Sequence, residues 1–225
     1  IDSVKNELGL KNIYKLASNE NPNGPSKKAL NAIRNSLESI HRYPDPSGLE
    51  LRNKLAQKFN LNIDNIVLGS GSEGIMSTIM RTFLNKGDEI ITAKNSFIGF
   101  KVLANASGKK IHWVPMKNHR YDLKHMLEFV NKSTKIIYIA NPDNPMGTFV
   151  NQLEFEKFYS QIPKRVLIIL DEAYFEYSKD SKNYPDSMNY RYDNIITLRT
   201  FSKIYGLAGL RVGYAIGEKD LILNF

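Results

Sequence analysis

The strongest constraint on the fold is a series of short runs that are apolar almost throughout, separated by helical patterns. Val166-Leu167-Ile168-Ile169-Leu170 is the clearest, and Ile195-Ile196-Thr197-Leu198 is of the same kind. A half-exposed strand alternates apolar and polar residues, whereas a continuous run is buried on both faces. Such strands belong to a largely parallel sheet with helices above and below it. Predicted strands cover 65–68, 89–92, 111–114, 135–140, 165–170, 195–198 and 212–216. Predicted helices cover 73–83, 97–106, 122–130 and 152–161. Two helices come earlier. One opens at Pro25-Ser26 with Ala29, Leu30, Ile33 and Leu37 on one face, and the other is striped by Leu51, Leu55 and Phe59. The expected class is α/β, a three-layer αβα domain with a mostly parallel sheet. The polar stretch 178–193 reads as a surface excursion between two strands.

At 225 residues, with 42% hydrophobic and 24% charged, the chain can bury a full core without staples. It has no cysteine, which removes disulfides, thiolate metal sites and cysteine nucleophiles. No run of about 18 apolar residues is present, so no membrane-spanning helix is expected. The formal charge of +8 is dispersed, with nothing denser than Lys27-Lys28 and Lys109-Lys110. Neither an arginine-rich arm nor a stacking motif accompanies it. The expectation is a cytoplasmic protein without nucleic-acid or membrane partners, and its charge favours phosphorylated or acidic small molecules. The sequence starts without Met, and Ile1-Asp2-Ser3-Val4-Lys5 lacks the apolar core of a signal peptide. It stops inside the apolar pattern Leu221-Ile222-Leu223-Asn224-Phe225, so it is expected to be a portion of a longer protein.

Chemistry-bearing residues collect where strands end. Gly69-Ser70-Gly71-Ser72-Glu73-Gly74 follows a strand and opens a helix, matching G-x-G-x-x-G. Free N–H groups at a helix start, approached closely through glycine, hold a phosphate. A dinucleotide site also needs an acid at the end of the next strand, about 20 residues on. That strand ends Thr92-Ala93-Lys94-Asn95, with Asp88 and Glu89 at the wrong end. A phosphate cup without a dinucleotide is therefore preferred, while Lys94 keeps an NADP reading open and a plain glycine turn is a further alternative.

Asn141-Pro142-Asp143-Asn144-Pro145-Met146-Gly147-Thr148 makes a tight, non-helical loop after the strand ending at Ala140. It is either a simple turn or a means of aiming an amide out of the sheet edge. Asp171-Glu172-Ala173-Tyr174 follows the most apolar strand. A carboxylate there is costly without a cationic partner, unless it serves as a helix N-cap. A magnesium-nucleotide site is excluded because no G-x-x-x-x-G-K followed by Ser or Thr exists in the chain. Finally, Thr200-Phe201-Ser202-Lys203 follows a strand and precedes Arg211. Taken alone, Lys203 reads more readily as a solvated lysine at a helix start than as an amine beside a phosphate site, since most lysines lie on the surface. In an open parallel sheet the carboxyl ends share one edge, where ligands bind. Gly71-Ser72, Asn144, Asp171 and Thr200/Ser202/Lys203 would converge there.

With these residues the chain resembles the fold-type I pyridoxal phosphate (PLP) aminotransferases, and within them the histidinol-phosphate aminotransferase group. Also supporting the resemblance are Leu16-Ala17-Ser18-Asn19-Glu20-Asn21-Pro22, Arg42-Tyr43-Pro44-Asp45, Asn144-Pro145-Met146-Gly147 and Gly209-Leu210-Arg211. The resemblance covers nearly the whole chain. It implies that Lys203 holds the cofactor aldehyde as a Schiff base and serves as the general base. Asp171 would pair with the ring nitrogen, and Asn144 and Tyr174 with the ring 3-oxygen. Ser72, Glu73, Thr200, Ser202 and Arg211 would bind the phosphate, and Phe97 would stack on the ring. Tyr43 would reach the cofactor of a partner subunit, implying a homodimer, and Asn21 would help cover the substrate.

The same resemblance divides the chain into an N-terminal arm, 1–25, and a PLP-binding large domain, 26–225. A small C-terminal domain would lie outside these residues. Two departures from the group are Asn23, where an aromatic residue is common, and Phe97, where tyrosine is more usual. The implied reaction is amino transfer from histidinol phosphate to 2-oxoglutarate, giving imidazole acetol phosphate and L-glutamate, a step of histidine biosynthesis. A phospho-amino-acid decarboxylase of the same fold, of the threonine-phosphate type, is the alternative. From other classes come an NADP-dependent oxidoreductase using Gly69 to Gly74 and a non-catalytic basic binding module.

Overall fold

The apolar runs become the inner strands of one sheet. The structure, a computed structural model, describes residues 2–190 and 192–225. Ile1 of the expected arm and Arg191 of the expected 178–193 excursion lie outside the described residues. Helix α1 (Asp2–Leu8) opens the arm, and α2 (Lys27–Ser36) and α3 (Leu49–Phe59) follow it. An alternating series comes next: β1 (Ile66–Ser70), α4 (Gly71–Phe83), β2 (Glu89–Ala93), α5 (Ile98–Ala106), β3 (Lys110–Val114), α6 (Leu123–Glu128) and β4 (Thr134–Ala140). The chain continues through α7 (Gln152–Tyr159), β5 (Leu167–Asp171), the short α8 (Phe175–Ser178), β6 (Ile195–Thr200), β7 (Val212–Gly217) and α9 (Lys219–Ile222).

The strands form a seven-stranded sheet in the order β1-β7-β6-β5-β4-β2-β3. Pairing is parallel from β3 through β6, while β7 runs antiparallel to both β1 and β6. The mostly parallel α/β class therefore holds, and β7 is the exception. Its run Val212-Gly213-Tyr214-Ala215-Ile216 is buried between two strands, and such burial looks the same in sequence whichever way the strand points. Because β7 reverses, β1 points the same way as β6. Ser70 lies opposite Val212, Thr200 opposite Gly213, and Ala140 opposite Asp171. The ends of β1, β4, β5 and β6 thus share one edge.

Several element bounds shift by one or two residues, and two of the shifts bear on local chemistry. The strand expected at 165–170 begins later and includes Asp171, which is its last residue. The helix expected at 122–130 runs only over Leu123–Glu128; its start is set by the Asp122 carboxylate, which accepts from the His125 N–H at 3.0 Å. The arm helix α1 has no amphipathic stripe facing a core and buries none of its residues, which is why periodicity did not reveal it.

Side chains alternate between two cores. Ile136, Tyr138 and Ala140 of β4 join Leu167 and Ile169 of β5 beneath α4 and α5, packing on Met76, Ile79 and Phe100. Ile137, Ile139, Ile168 and Leu170 face the other way, toward Met126, Phe155 and Phe158 of α6 and α7. Each fully buried aliphatic side chain contributes on the order of 1.5–3 kcal/mol. This alternation also sets the chemistry. Asp171 continues the row of Leu167 and Ile169, and Thr200 continues that of Ile196 and Leu198. Glu172, one residue on, turns toward the opposite layer.

Candidate active site

The shared edge opens into a cleft of about 140 Å³ lined by Ser72, Glu73, Phe97, Asn144, Asp171, Tyr174, Thr200, Ser202, Lys203 and Arg211, with Ala140, Pro142 and Ala173. Ser72, Asn144, Asp171, Thr200, Ser202 and Lys203 are the residues that the sequence placed at separate strand ends, and Glu73, Phe97, Tyr174 and Arg211 are those that the resemblance added. Two others stand apart. Tyr43 is fully exposed on the surface and does not line the cleft of its own chain. Asn21 lies beside the cleft, donating its amide to the Ile204 carbonyl at 2.7 Å.

One side of the cleft is built for an anion. The Thr200 hydroxyl donates to Ser202 Oγ at 3.0 Å and accepts from the Ser202 N–H at 3.1 Å. Arg211 Nη1 approaches Ser202 Oγ at 3.4 Å and donates to the Ala208 carbonyl at 3.2 Å. A side chain at Gly71 would stand 2.7 Å from Arg211 Nη2, and Gly71 also has φ +70°. Glycine there brings the guanidinium, the hydroxyls and the first N–H groups of α4 onto one spot.

The same cleft also holds a carboxylate. Asp171 is buried, accepting from Tyr138 Oη at 2.8 Å through Oδ2 and from the Ala173 N–H at 3.1 Å through Oδ1. Burial pushes its carboxyl up to about 6, against the pull of the Tyr138 and Ala173 hydrogen bonds and of the nearby Lys203 charge. Its hydrogen-bond donors are neutral, so the site favours a cation brought in from outside. Asp143, in the loop after β4, is also held above the usual carboxylate range by burial.

Lys203 Nζ donates to the Ser18 carbonyl at 2.9 Å and lies 5.4 Å from the centre of the Tyr174 ring. Tyr174 Oη accepts from Asn144 Nδ2 at 3.2 Å and from Asn19 Nδ2 at 2.9 Å. The two Asn-Pro steps divide their work. Asn141 is buried and clamps Val150, accepting its N–H at 2.7 Å and donating to its carbonyl at 3.1 Å, while Asn144 faces the cleft. The arm crosses the lysine loop closely: a Cβ at Gly206 (φ +67°) would meet the Gly24 carbonyl carbon at 2.4 Å. Among the described residues no cluster of His, Cys, Asp and Glu forms a metal-ligand set.

Sequence reasoning gave three participants no individual role, although it quoted Ser18 and Asn19 within the arm motif. Asn19 and the Ser18 carbonyl reach Tyr174 and Lys203 from the arm, where irregular backbone gives no periodic signal. Tyr138 hides in an aliphatic strand. Its one available clue was a hydroxyl within the otherwise aliphatic run from Ile136 to Ala140.

The profile of aminotransferase class I and II matches residues 11–225. Histidinol-phosphate aminotransferase 2 of Carboxydothermus hydrogenoformans is 41% identical over 98% of this chain. Histidinol-phosphate aminotransferase of Caldicellulosiruptor saccharolyticus is 42% identical over 99% of it. The crystal structure of histidinol-phosphate aminotransferase from Sinorhizobium meliloti, in complex with pyridoxal-5'-phosphate, superposes with a TM-score of 0.92 over all of this chain at 30% identity. The chain spans 62% of the length of each of those two curated relatives and 61% of the crystallised one.

Proposed function

The chain belongs to the aminotransferase class I and II family; on that premise we propose that its cleft holds pyridoxal phosphate and serves an amino transfer. The observation that carries this reading is the presence, in one cleft, of a buried carboxylate without a cationic hydrogen-bond donor and an anion seat made by Arg211, Ser202 and Thr200. A ring with a protonated nitrogen at one end and a phosphate at the other would satisfy both groups, and Lys203 lines the same cleft. When bound, the cofactor supplies an aldehyde and an electron-withdrawing ring.

The chain's own residues do the rest. Lys203 Nζ would hold the cofactor covalently and move the substrate's proton. Asp171 would keep the proton on the ring nitrogen. Asn144 and Tyr174 would grip the ring oxygen, with Phe97 against the ring face. Arg211, Ser202, Thr200 and the N–H groups of Ser72 and Glu73 would bind the phosphate. Tyr43, exposed in the single chain, would complete the site of a second copy in a homodimer. Residues 1–25 would act as an arm, anchored through Asn21 over the substrate side, and 26–225 as the cofactor-binding domain.

The names of relatives about 40% identical favour histidinol phosphate as the donor; with 2-oxoglutarate as acceptor, as the resemblance implies, the products would be imidazole acetol phosphate and L-glutamate. A cytoplasmic enzyme of histidine biosynthesis is the corresponding setting. Among the described residues no helix is long and apolar enough to cross a membrane.

The test uses the full-length protein loaded with PLP. It is expected to show a visible band that borohydride bleaches, leaving label on Lys203, and to form L-glutamate from histidinol phosphate and 2-oxoglutarate. A protein that stays colourless ends the cofactor reading. Turnover of phosphoserine but not histidinol phosphate, or release of carbon dioxide from threonine phosphate, ends the substrate assignment.

A further inference from the structure

Tyr138 is fully buried on β4, two residues before the strand end, and does not line the cleft. Its ring stacks on Phe100 with centroids 3.7 Å apart and planes within 10°. Its hydroxyl donates to Asp171 Oδ2 at 2.8 Å. The stack fixes the ring, so the hydroxyl is delivered to the carboxylate by a rigid support. A phenylalanine would preserve the packing and lose only this donor.

We propose that Tyr138 is a positioning residue for Asp171, orienting the carboxylate toward the cleft and helping to keep it charged where a cationic ring nitrogen is to bind. The proposal rests on the cofactor reading above. The groups that face Asp171 are Tyr138 from β4, Asp143 from the loop after β4, Tyr121 from the segment before α6, and Lys203 with the Ala173 N–H from the loops after β6 and β5. Of these, Tyr138 and Ala173 are the hydrogen-bond donors to the carboxylate. Removing the phenol leaves burial less opposed, and the protonated carboxyl persists to higher pH.

The experiment titrates PLP retention against pH in the full-length wild type, Tyr138→Phe and Asp171→Asn, the last subtracting every contribution other than that of Asp171. In Tyr138→Phe the Asp171-dependent midpoint is expected to rise by about one pH unit, with affinity converging on wild type well above it. An unmoved midpoint, or an equal loss of affinity at every pH, overturns the proposal while the cofactor reading stands. A wild-type profile identical to that of Asp171→Asn removes Asp171 from the ring nitrogen, and the proposal falls with it. Should Tyr138→Phe not fold, wild type carrying ring-labelled tyrosine answers by NMR. A Tyr138 phenol signal that moves with the Asp171 midpoint and is static in Asp171→Asn supports the proposal. A signal that stays still in both overturns it.

Discussion

Glu89 and Asp171 are carboxylates of one sheet, at opposite edges and in opposite circumstances. Glu89 begins β2 and meets Lys110 Nζ at 3.0 Å, His112 Nε2 at 2.7 Å and Asn131 Nδ2 at 2.7 Å. Hydrogen bonds from Asn131, His112 and Lys110 hold its carboxyl down at about 2. Asp171 ends β5 with only a phenol and an amide as donors, and burial holds it up at about 6. The amino edge settles its charge internally, whereas the carboxyl edge leaves its charge waiting for a partner. Glu172 sharpens the contrast. It is also buried, but Arg199 donates to it at 3.0 and 2.8 Å and also reaches Asp186 at 2.8 Å. One step along the chain separates a carboxylate with a cation of its own from one without.

The largest effect expected at the carboxyl edge is that of Lys203→Ala. Its Nζ bond to Ser18 lies at an exposed position, so the fold should survive its loss. Amino transfer in the full-length protein should fall by about 10⁴-fold, because covalent attachment and proton movement are lost together. Borohydride labelling at this position should vanish. Retention of activity within about tenfold of wild type would mean that another group does this work.

Asp171→Asn comes next, with activity expected to fall by about 10²–10³-fold, the scale of losing one preorganised electrostatic partner. Stability should move the other way. The folded carboxyl titrates near 6 and the unfolded one near 3.8, so the folded cofactor-free state binds more protons between them. Its contribution is fully present below 3.8 and is lost as pH rises through 6. Well above pH 6 the cofactor-free variant should therefore be more stable than wild type, by about 3 kcal/mol, with the gain shrinking toward pH 4. Denaturant melts at pH 8 and pH 4 decide this. A variant less stable at both would show that Asp171 is as well satisfied as Glu89.

Most of the sheet was legible because burial on both faces writes continuous apolar runs, and the site was legible because parallel strands deliver their ends to one edge. Asp171 and Lys203 were each ambiguous alone and gained meaning from that shared edge. What escaped depends on long-range contact. The hydrogen bonds of Asn19 and Tyr174 span 155 positions, and no local pattern encodes them. Tyr138 was hidden because a buried aromatic residue packs like its aliphatic neighbours, and its hydroxyl matters only once Asp171 is alongside. The reversal of β7 was equally silent, since its burial does not depend on direction.

The smallest effect expected tests the amino edge. Glu89→Gln removes the charge that Lys110 pairs with and that His112 and Asn131 contact, but keeps an oxygen and a similar shape. The wild-type carboxyl sits below its ordinary value, so its contribution is present above about 4.5 and is lost as pH falls through about 2. The variant should be less stable by about 1 kcal/mol at pH 7, a figure reduced for the exposure of Lys110 to water. The deficit should shrink steadily below pH 4.5, as followed by denaturant melts. PLP affinity and amino transfer should be unchanged, because the whole length of the sheet separates Glu89 from the cleft. A tenfold loss of activity with stability intact would mean that the amino edge is not purely structural, and the contrast with Asp171 would then rest on degree alone.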